Sequence, residues 1–191
     1  MSSIEIRNLH KRYGEKSVLT DLSLSFECGK ISCLMGASGS GKTTLLRILA
    51  GLESQDGGEI KNPCRKVSFM FQEDRLCEDF SPVSNIRFVV GKGMRDEVIR
   101  THLCALGLSG HLDKPVRQMS GGMKRRVALA RALCAPCDLL LLDEPFKGLD
   151  EALKAAVIEQ IKAAAQGKTV LCVTHDPSAA NALDAKVIRL G

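Results

Sequence analysis

One run of residues has the composition and spacing of a loop that binds phosphate. The run consists of Gly36, Ala37, Ser38, Gly39, Ser40, Gly41, Lys42, Thr43 and Thr44. In this pattern the glycines let backbone N–H groups surround a phosphate, a lysine reaches the outer phosphates of a nucleotide, and a hydroxyl ligates Mg²⁺. We assign the lysine role to Lys42 and the hydroxyl role to Thr43. The alternative is a flexible glycine turn that binds nothing.

Two adjacent carboxylates, Asp143 and Glu144, follow the apolar run 139–142. A carboxylate at the carboxyl end of a buried parallel strand points into the crevice where α/β sheets bind ligands. We therefore predict that Asp143 ligates Mg²⁺ and that Glu144 is the general base that activates water. The alternative is that both are ordinary charges at the end of a strand.

The elements that would position these groups follow from the hydrophobic pattern. Residues 30–35 are an apolar strand that leads into the glycine-rich run, and residues 43–50 are a helix closed by Gly51. Alternation with period two predicts half-buried strands, and continuous apolar runs predict buried parallel strands. The other predicted strands are residues 4–9, 18–26, 59–60, 66–71, 138–142, 169–174 and 186–190, with Gly57 and Gly58 in a turn. The other predicted helices are residues 94–106, 123–133, 151–165 and a short helix from Asp176, with Pro82 and the turn 91–93 interrupting the stretch before residue 94.

Composition narrows the class of protein. The chain has 191 residues, a formal charge of +5 and 45% hydrophobic residues, which suits a folded domain and excludes a disordered chain. No apolar run approaches the roughly 20 residues of a spanning helix, and the first residues lack the apolar segment of a signal peptide. Eight scattered cysteines are expected to be reduced thiols of a cytoplasmic protein. The basic run Lys124, Arg125 and Arg126 is predicted to be a solvated helix face, and no nucleic-acid partner is expected.

The run 119–126, which contains Ser120, Gly121 and Gly122, closely resembles the signature motif of ATP-binding cassette (ABC) proteins. The resemblance extends over nearly the whole chain, and its motifs occur in the order of the family. Tyr13 resembles the aromatic residue that stacks on adenine, and Gln72 resembles the glutamine of the Q-loop. The run 146–150 resembles the D-loop, which ends in Asp150, and His175 resembles the switch histidine.

The resemblance implies a role for each of these residues, and each has a simpler alternative. Tyr13 would stack on adenine, or it is a half-buried tyrosine at a strand end. Ser120, Gly121 and Gly122 would bind the γ-phosphate at a helix N-terminus, or they are a plain N-cap and turn. Gln72 would contact Mg²⁺ or the attacking water, or it is a solvated loop residue. His175 would donate to the γ-phosphate and hold the water, or it is structural.

The implied fold is α/β: a P-loop NTPase of the ABC cassette type. It has a mostly parallel central sheet, an N-terminal antiparallel β subdomain and a shortened helical subdomain, which we place at residues 73–117 of a domain spanning 1–191. The interval from Lys42 to Ser120 is short for the family. Met119, Met123 and Lys147 also depart from the usual residues of their motifs.

The implied function is ATP hydrolysis, with ATP and Mg²⁺ held between two chains. The second chain would be another copy or a homologue, and Asp150 would lie at their interface. Hydrolysis would drive transport through separate transmembrane permease subunits, with a substrate-binding protein in the system, so that the chain lies on the inner face of the membrane. The runs 71–76 and 143–146 resemble importers of the nitrate, sulfonate and taurine group. The alternative is an ABC ATPase that acts as a regulator or scaffold in cell division or iron–sulfur assembly.

Overall fold

The computed structural model describes residues 2–190, so the predicted domain bounds Met1 and Gly191 lie outside the described residues. The strands are β1 (Ser3–Tyr13), β2 (Lys16–Glu27), β3 (Ile31–Gly36), β4 (Gly57–Lys61), β5 (Val67–Met70), β6 (Leu139–Asp143), β7 (Thr169–Val173) and β8 (Lys186–Leu190). The α-helices are α1 (Lys42–Leu49), α2 (Pro82–Val90), α3 (Asp96–Ala105), α4 (Gly121–Cys134), α5 (Glu151–Ala164) and α6 (Pro177–Ala182).

The central sheet has five strands in the order β5-β6-β7-β3-β8, and every neighbouring pair is parallel. Successive side chains of a strand point to opposite faces, and here both faces are covered. In β6, Leu140 and Leu142 join an apolar cluster with α2 to α6, whereas Leu139 and Leu141 join a second cluster with α1 and the other sheet. Burial on both faces explains why β6 reads as an unbroken apolar run.

A second sheet contains the antiparallel strands β2-β1-β4. Ile4, Ile6 and Leu9 of β1 are buried against the cluster around α1. The predicted fold class, a parallel central sheet beside an N-terminal antiparallel sheet, is therefore confirmed. The predicted turn at Gly57 and Gly58 is wrong, because both residues begin β4, where irregular register with β1 and a φ of +89° at Gly58 accommodate them.

The stretch that begins at Pro82 is helical, so the prediction that this proline interrupts regular structure before residue 94 is wrong. Pro82 is the first residue of α2, where a missing N–H costs nothing because the first turn has no acceptor for it. The Ser81 Oγ accepts a hydrogen bond from the Ser84 N–H at 3.2 Å and caps the helix. Serine followed by proline is here a start signal, and α2 then buries Val83 and Ile86.

Because all five strands of the central sheet are parallel, their carboxyl ends lie at one edge, and four of these ends precede predicted site residues. Gly36 ends β3, Met70 ends β5, Asp143 ends β6 and Val173 ends β7. The segments that follow these residues contain most of the predicted site residues, and they meet above this edge. Within residues 2–190, none of the helices combines the length and the apolar character needed to cross a membrane.

Candidate active site

The glycine-rich run connects β3 to α1 and forms the floor of a cleft at this edge. Two of its glycines are sterically required. A Cβ on Gly36 would lie 2.1 Å from the Leu190 carbonyl oxygen, and Gly41 has a φ of +86° with Leu19 closely packed against it. The lining residues of this phosphate-loop cleft are Lys16, Val18, Ser38, Gly39, Gly41, Lys42, Thr43, Thr44, Gln72, Asp143, Glu144, Val173 and His175.

The Lys42 side chain is folded against its own loop. Its ammonium group donates hydrogen bonds to the carbonyl oxygens of Gly36 at 2.9 Å and Ala37 at 2.7 Å, and the residue is only 6% exposed. Neutral carbonyls balance a buried cation only in part, so a phosphate anion is a better partner. The loop therefore presents a desolvated positive charge at the base of the cleft.

Thr43 and Asp143 meet directly, although they are far apart in the sequence. The Thr43 hydroxyl donates a hydrogen bond of 2.8 Å to the Asp143 carboxylate. Burial raises the pKa of Asp143 above the usual aspartate value, and the hydrogen bond from Thr43 acts in the opposite direction. The pair offers two hard oxygen atoms, and Gln72 lines the same cleft with a third. Such oxygens suit Mg²⁺, which takes one or two protein ligands and completes its shell with phosphate and water.

Glu144 and His175 form the other polar pair of the cleft. The His175 Nε2 lies 3.1 Å from the Glu144 Oε1. Burial raises the pKa of Glu144, while the nearby His175 acts to lower it. The Glu144 backbone has a positive φ of 56°, which is uncommon for a residue with a side chain, and its N–H donates to the Val173 carbonyl at 3.0 Å. A half-buried carboxylate with a raised pKa beside a histidine can accept a proton from water.

The remaining predicted residues lie outside this cleft. Ser120 is the N-cap of α4, with Gly121 and Gly122 in its first turn, and Asp150 is the N-cap of α5; all four are exposed. Tyr13 is 46% exposed, and its hydroxyl donates to the Glu53 carboxylate, which raises the pKa of Tyr13. The structure thus brings the phosphate loop, Gln72, Asp143, Glu144 and His175 together at one cleft, and places Ser120, Gly121, Gly122 and Asp150 outside it.

Arg125 is an element of the site that sequence reasoning missed. The prediction of a solvated face is wrong for this residue, whose side chain is only 13% exposed. Its guanidinium donates to the backbone carbonyls of Gln72, Asp143 and Glu144. A hint was available: cations are unfavourable near a helix N-terminus, so a basic run soon after Ser120 calls for local acceptors.

The chain is similar to known proteins over nearly its whole length. The sequence profile of the family described as "ABC transporter" matches residues 19–147. The aliphatic sulfonates import ATP-binding protein SsuB 2 of Burkholderia cenocepacia is 37% identical over 202 residues, which is 98% of this chain and 73% of that protein. The spermidine/putrescine import ATP-binding protein PotA of Spiroplasma citri is 39% identical over 203 residues, which is 97% of this chain and 58% of that protein.

Solved structures share the fold. A dimeric bacterial ABC transporter cassette superposes with a TM-score of 0.87 at 27% identity, covering 98% of this chain and 94% of the cassette. The same cassette in a post-hydrolysis state bound to ADP and Pi gives a TM-score of 0.85 at 26% identity, with the same coverage of both chains.

Proposed function

Because this chain belongs to the ABC transporter family, we propose that it is the ATP-binding and ATP-hydrolysing subunit of an import system. The observation that carries the proposal is the convergence of Lys42, Thr43, Asp143, Glu144 and His175 on one cleft. The similar proteins named as import ATP-binding proteins favour transport over the alternative of a regulatory or scaffolding ATPase.

In this proposal the phosphate loop binds the β- and γ-phosphates of ATP. The Lys42 ammonium exchanges its carbonyl partners for phosphate oxygens, and the N–H groups at the start of α1 add partial positive charge. Thr43 and Asp143 would hold Mg²⁺ at the same point, with Gln72 as a further oxygen ligand. When bound with ATP, Mg²⁺ neutralises charge on the phosphate oxygens.

Hydrolysis then requires water that is positioned and deprotonated. Glu144 accepts a proton from this water while the water oxygen bonds to the γ-phosphorus. The bond from that phosphorus to the bridging oxygen breaks, and ADP leaves with the electron pair. His175, 3.1 Å from Glu144, orients the carboxylate and can donate a hydrogen bond to the γ-phosphate. The products are ADP and Pi, which the post-hydrolysis state of the similar cassette contains.

A second chain completes the site. Ser120, Gly121, Gly122 and Asp150 are exposed and lie away from the cleft of their own chain, so they are available to the nucleotide of a partner. The helix N-terminus at Ser120 suits an anionic γ-phosphate. The dimeric state of the similar cassette supports this arrangement, and the partner would be another copy or a homologue.

The motion of this pair would drive transport through separate permease subunits in the membrane, supplied by a substrate-binding protein. The chain would then lie on the inner face of the membrane, held there by the permease. The two import relatives are named for different cargo, aliphatic sulfonates in one case and spermidine or putrescine in the other, although their identity to this chain is similar. We therefore assign cargo selection to the permease and the substrate-binding protein.

Phosphate release from MgATP by the purified chain tests the ATPase part of the proposal. The activity per chain should rise with protein concentration, since two chains form each site, and should stop when EDTA removes Mg²⁺. The proposal is contradicted if the chain releases no phosphate at any concentration, either alone or mixed with a homologous ATP-binding subunit. Copurification from solubilised membranes tests transport: the chain should bind a multi-spanning permease, whereas an active ATPase that binds no multi-spanning membrane protein would favour the regulatory alternative.

A further inference from the structure

Arg125 connects helix α4 to both segments that contain the predicted catalytic groups. One guanidinium nitrogen, Nη1, donates to the Gln72 carbonyl at 2.8 Å and to the Phe71 carbonyl at 3.4 Å. The other, Nη2, donates to the carbonyls of Asp143 at 2.7 Å and Glu144 at 2.8 Å. We propose that Arg125 is a positioning residue for ATP hydrolysis, which fixes the backbone of Gln72 and Glu144 relative to each other.

The geometry suits arginine in particular. A guanidinium presents its N–H groups in a rigid planar fork, so it can hold two pairs of acceptors that diverge, whereas the three donors of lysine radiate from one atom. The Asp74 carboxylate lies 3.7 Å away and is the only acidic side chain of residues 2–190 in ion-pair contact with Arg125. The backbone carbonyls therefore supply most of the compensation for this nearly buried cation.

The contact bears directly on the placement of Glu144. The N–H of this residue donates to Val173 at the end of β7, and its carbonyl accepts from Arg125, so its peptide groups are held on both sides. Its positive φ is a conformation that persists only when surrounding contacts enforce it. Loss of the Arg125 contact would let the Glu144 carboxylate shift from the water that it must deprotonate.

Arg131, on the same helix α4, provides a matched control. Its guanidinium also donates to two backbone carbonyls, those of Arg75 at 2.7 Å and Asp74 at 3.0 Å. It therefore offers the same residue type, the same helix and the same kind of acceptor, but neither of its acceptors belongs to a predicted catalytic residue. A general effect of losing buried hydrogen bonds should appear equally at both arginines.

The experiment compares Arg125→Met and Arg125→Lys with Arg131→Met and Arg131→Lys in steady-state ATPase assays of the purified chain. We expect kcat to fall about a hundredfold in Arg125→Met and about tenfold in Arg125→Lys, since small displacements of reacting groups cost rates of this order. The KM for ATP should change less than about threefold, because the phosphate loop is untouched. Both Arg131 variants should keep kcat within about threefold of the parent chain. The Tm of each should nevertheless fall about as much as the Tm of the matching Arg125 variant.

This inference rests on the proposed function, and the assay separates the two. If the parent chain releases no phosphate, either alone or mixed with a homologous ATP-binding subunit, the proposed function fails. If the parent chain is active and both Arg125 variants keep its kcat, or if the Arg131 variants lose as much kcat as the Arg125 variants, the positioning role is refuted. If neither Arg125 variant folds while the Arg131 variants do, Arg125 maintains the fold rather than the catalytic geometry, and the inference is likewise overturned.

Discussion

Replacing Glu144 by glutamine separates proton transfer from every other property of the site. The Glu144 side chain is 18% exposed and faces His175 at 3.1 Å, so an amide of the same shape fills the same space but cannot accept a proton from water. General base catalysis contributes about 10²-fold or more. At about 1.36 kcal/mol for each tenfold change, Glu144→Gln should raise the barrier by about 2.7 kcal/mol or more.

ATP binding should survive this substitution. The groups expected to bind phosphate are Lys42 and the N–H groups of its loop, and none of them bonds to the Glu144 side chain. The fold should also survive, because burial disfavours the ionised form of Glu144 and a neutral amide removes that penalty. We therefore expect the affinity for ATP to stay within about threefold of the parent value, with a Tm that is equal or higher.

The assay combines phosphate release, titration with a fluorescent ATP analogue and thermal unfolding. Glu73→Gln is the matched control, because this carboxylate follows Gln72 in the chain but is largely exposed, pairs with Arg75 and does not line the cleft. The control should hydrolyse ATP normally. A Glu144→Gln variant that turns over ATP at the normal rate would remove Glu144 from the role of base. Parallel loss of ATP binding would show that Glu144 contributes to binding rather than to proton transfer.

Substitutions at three further residues probe other parts of the chain. Lys42→Ala should weaken ATP binding about tenfold or more in a fluorescence titration, since hydrogen bonds to charged groups contribute about 1.5–3 kcal/mol, and an unchanged affinity would contradict its phosphate role. Tyr13→Phe should keep the affinity for ATP while Tyr13→Ala lowers it about tenfold, if the ring stacks on adenine; equal affinities would favour a structural tyrosine. Lys154, 2.8 Å from Asp176, holds the pKa of Asp176 well below its usual value, so this carboxylate stabilises the fold above the ordinary pKa of about 3.9 and loses that effect as pH falls. The Tm of Asp176→Asn should therefore lie below the parent value at pH 7 and approach it in acid, and a difference that does not depend on pH would refute this reasoning.

The central part of the fold could be predicted because its physical rules are local or topological. The apolar run before Asp143 needs burial on both faces, and the glycine-rich run needs a strand before it and a helix after it. Parallel strands then place their carboxyl ends at one edge, so the meeting of Thr43 with Asp143 follows from topology.

Helix α2 was harder to predict because the same residue type has opposite meanings at different helix positions. Pro82 breaks a helix when it occurs in the interior, but it favours a helix at the first position. Ser81 determines which of these two meanings applies, because its hydroxyl accepts the hydrogen bond from the Ser84 N–H and caps the helix that begins at Pro82. An N-cap residue directly before the proline was the available signal.

Arg125 could not be assigned from the pattern of its own helix. The acceptors that it binds belong to Gln72, Asp143 and Glu144, which are distant in the sequence and reach Arg125 only because β5 and β6 are neighbours in the sheet. Burial of a basic side chain thus depends on tertiary contacts, whereas a run of three basic residues suggests a solvated face by composition alone.

Helix α4 has two expected roles, and the residues to which we assign them, Ser120 and Arg125, are five positions apart in the sequence. Ser120 stands at its exposed N-terminus, where we expect the nucleotide of a partner chain, and Arg125 contacts the loops of the chain's own cleft. Five residues span about 7.5 Å along a helix, so the two groups lie within one rigid element. A displacement of α4 that accompanies the binding of a partner would therefore carry the Arg125 guanidinium with it, and with it the carbonyls of Gln72 and Glu144. If the proposed two-chain site forms, the approach of the second chain and the alignment of the hydrolytic groups would therefore be mechanically linked.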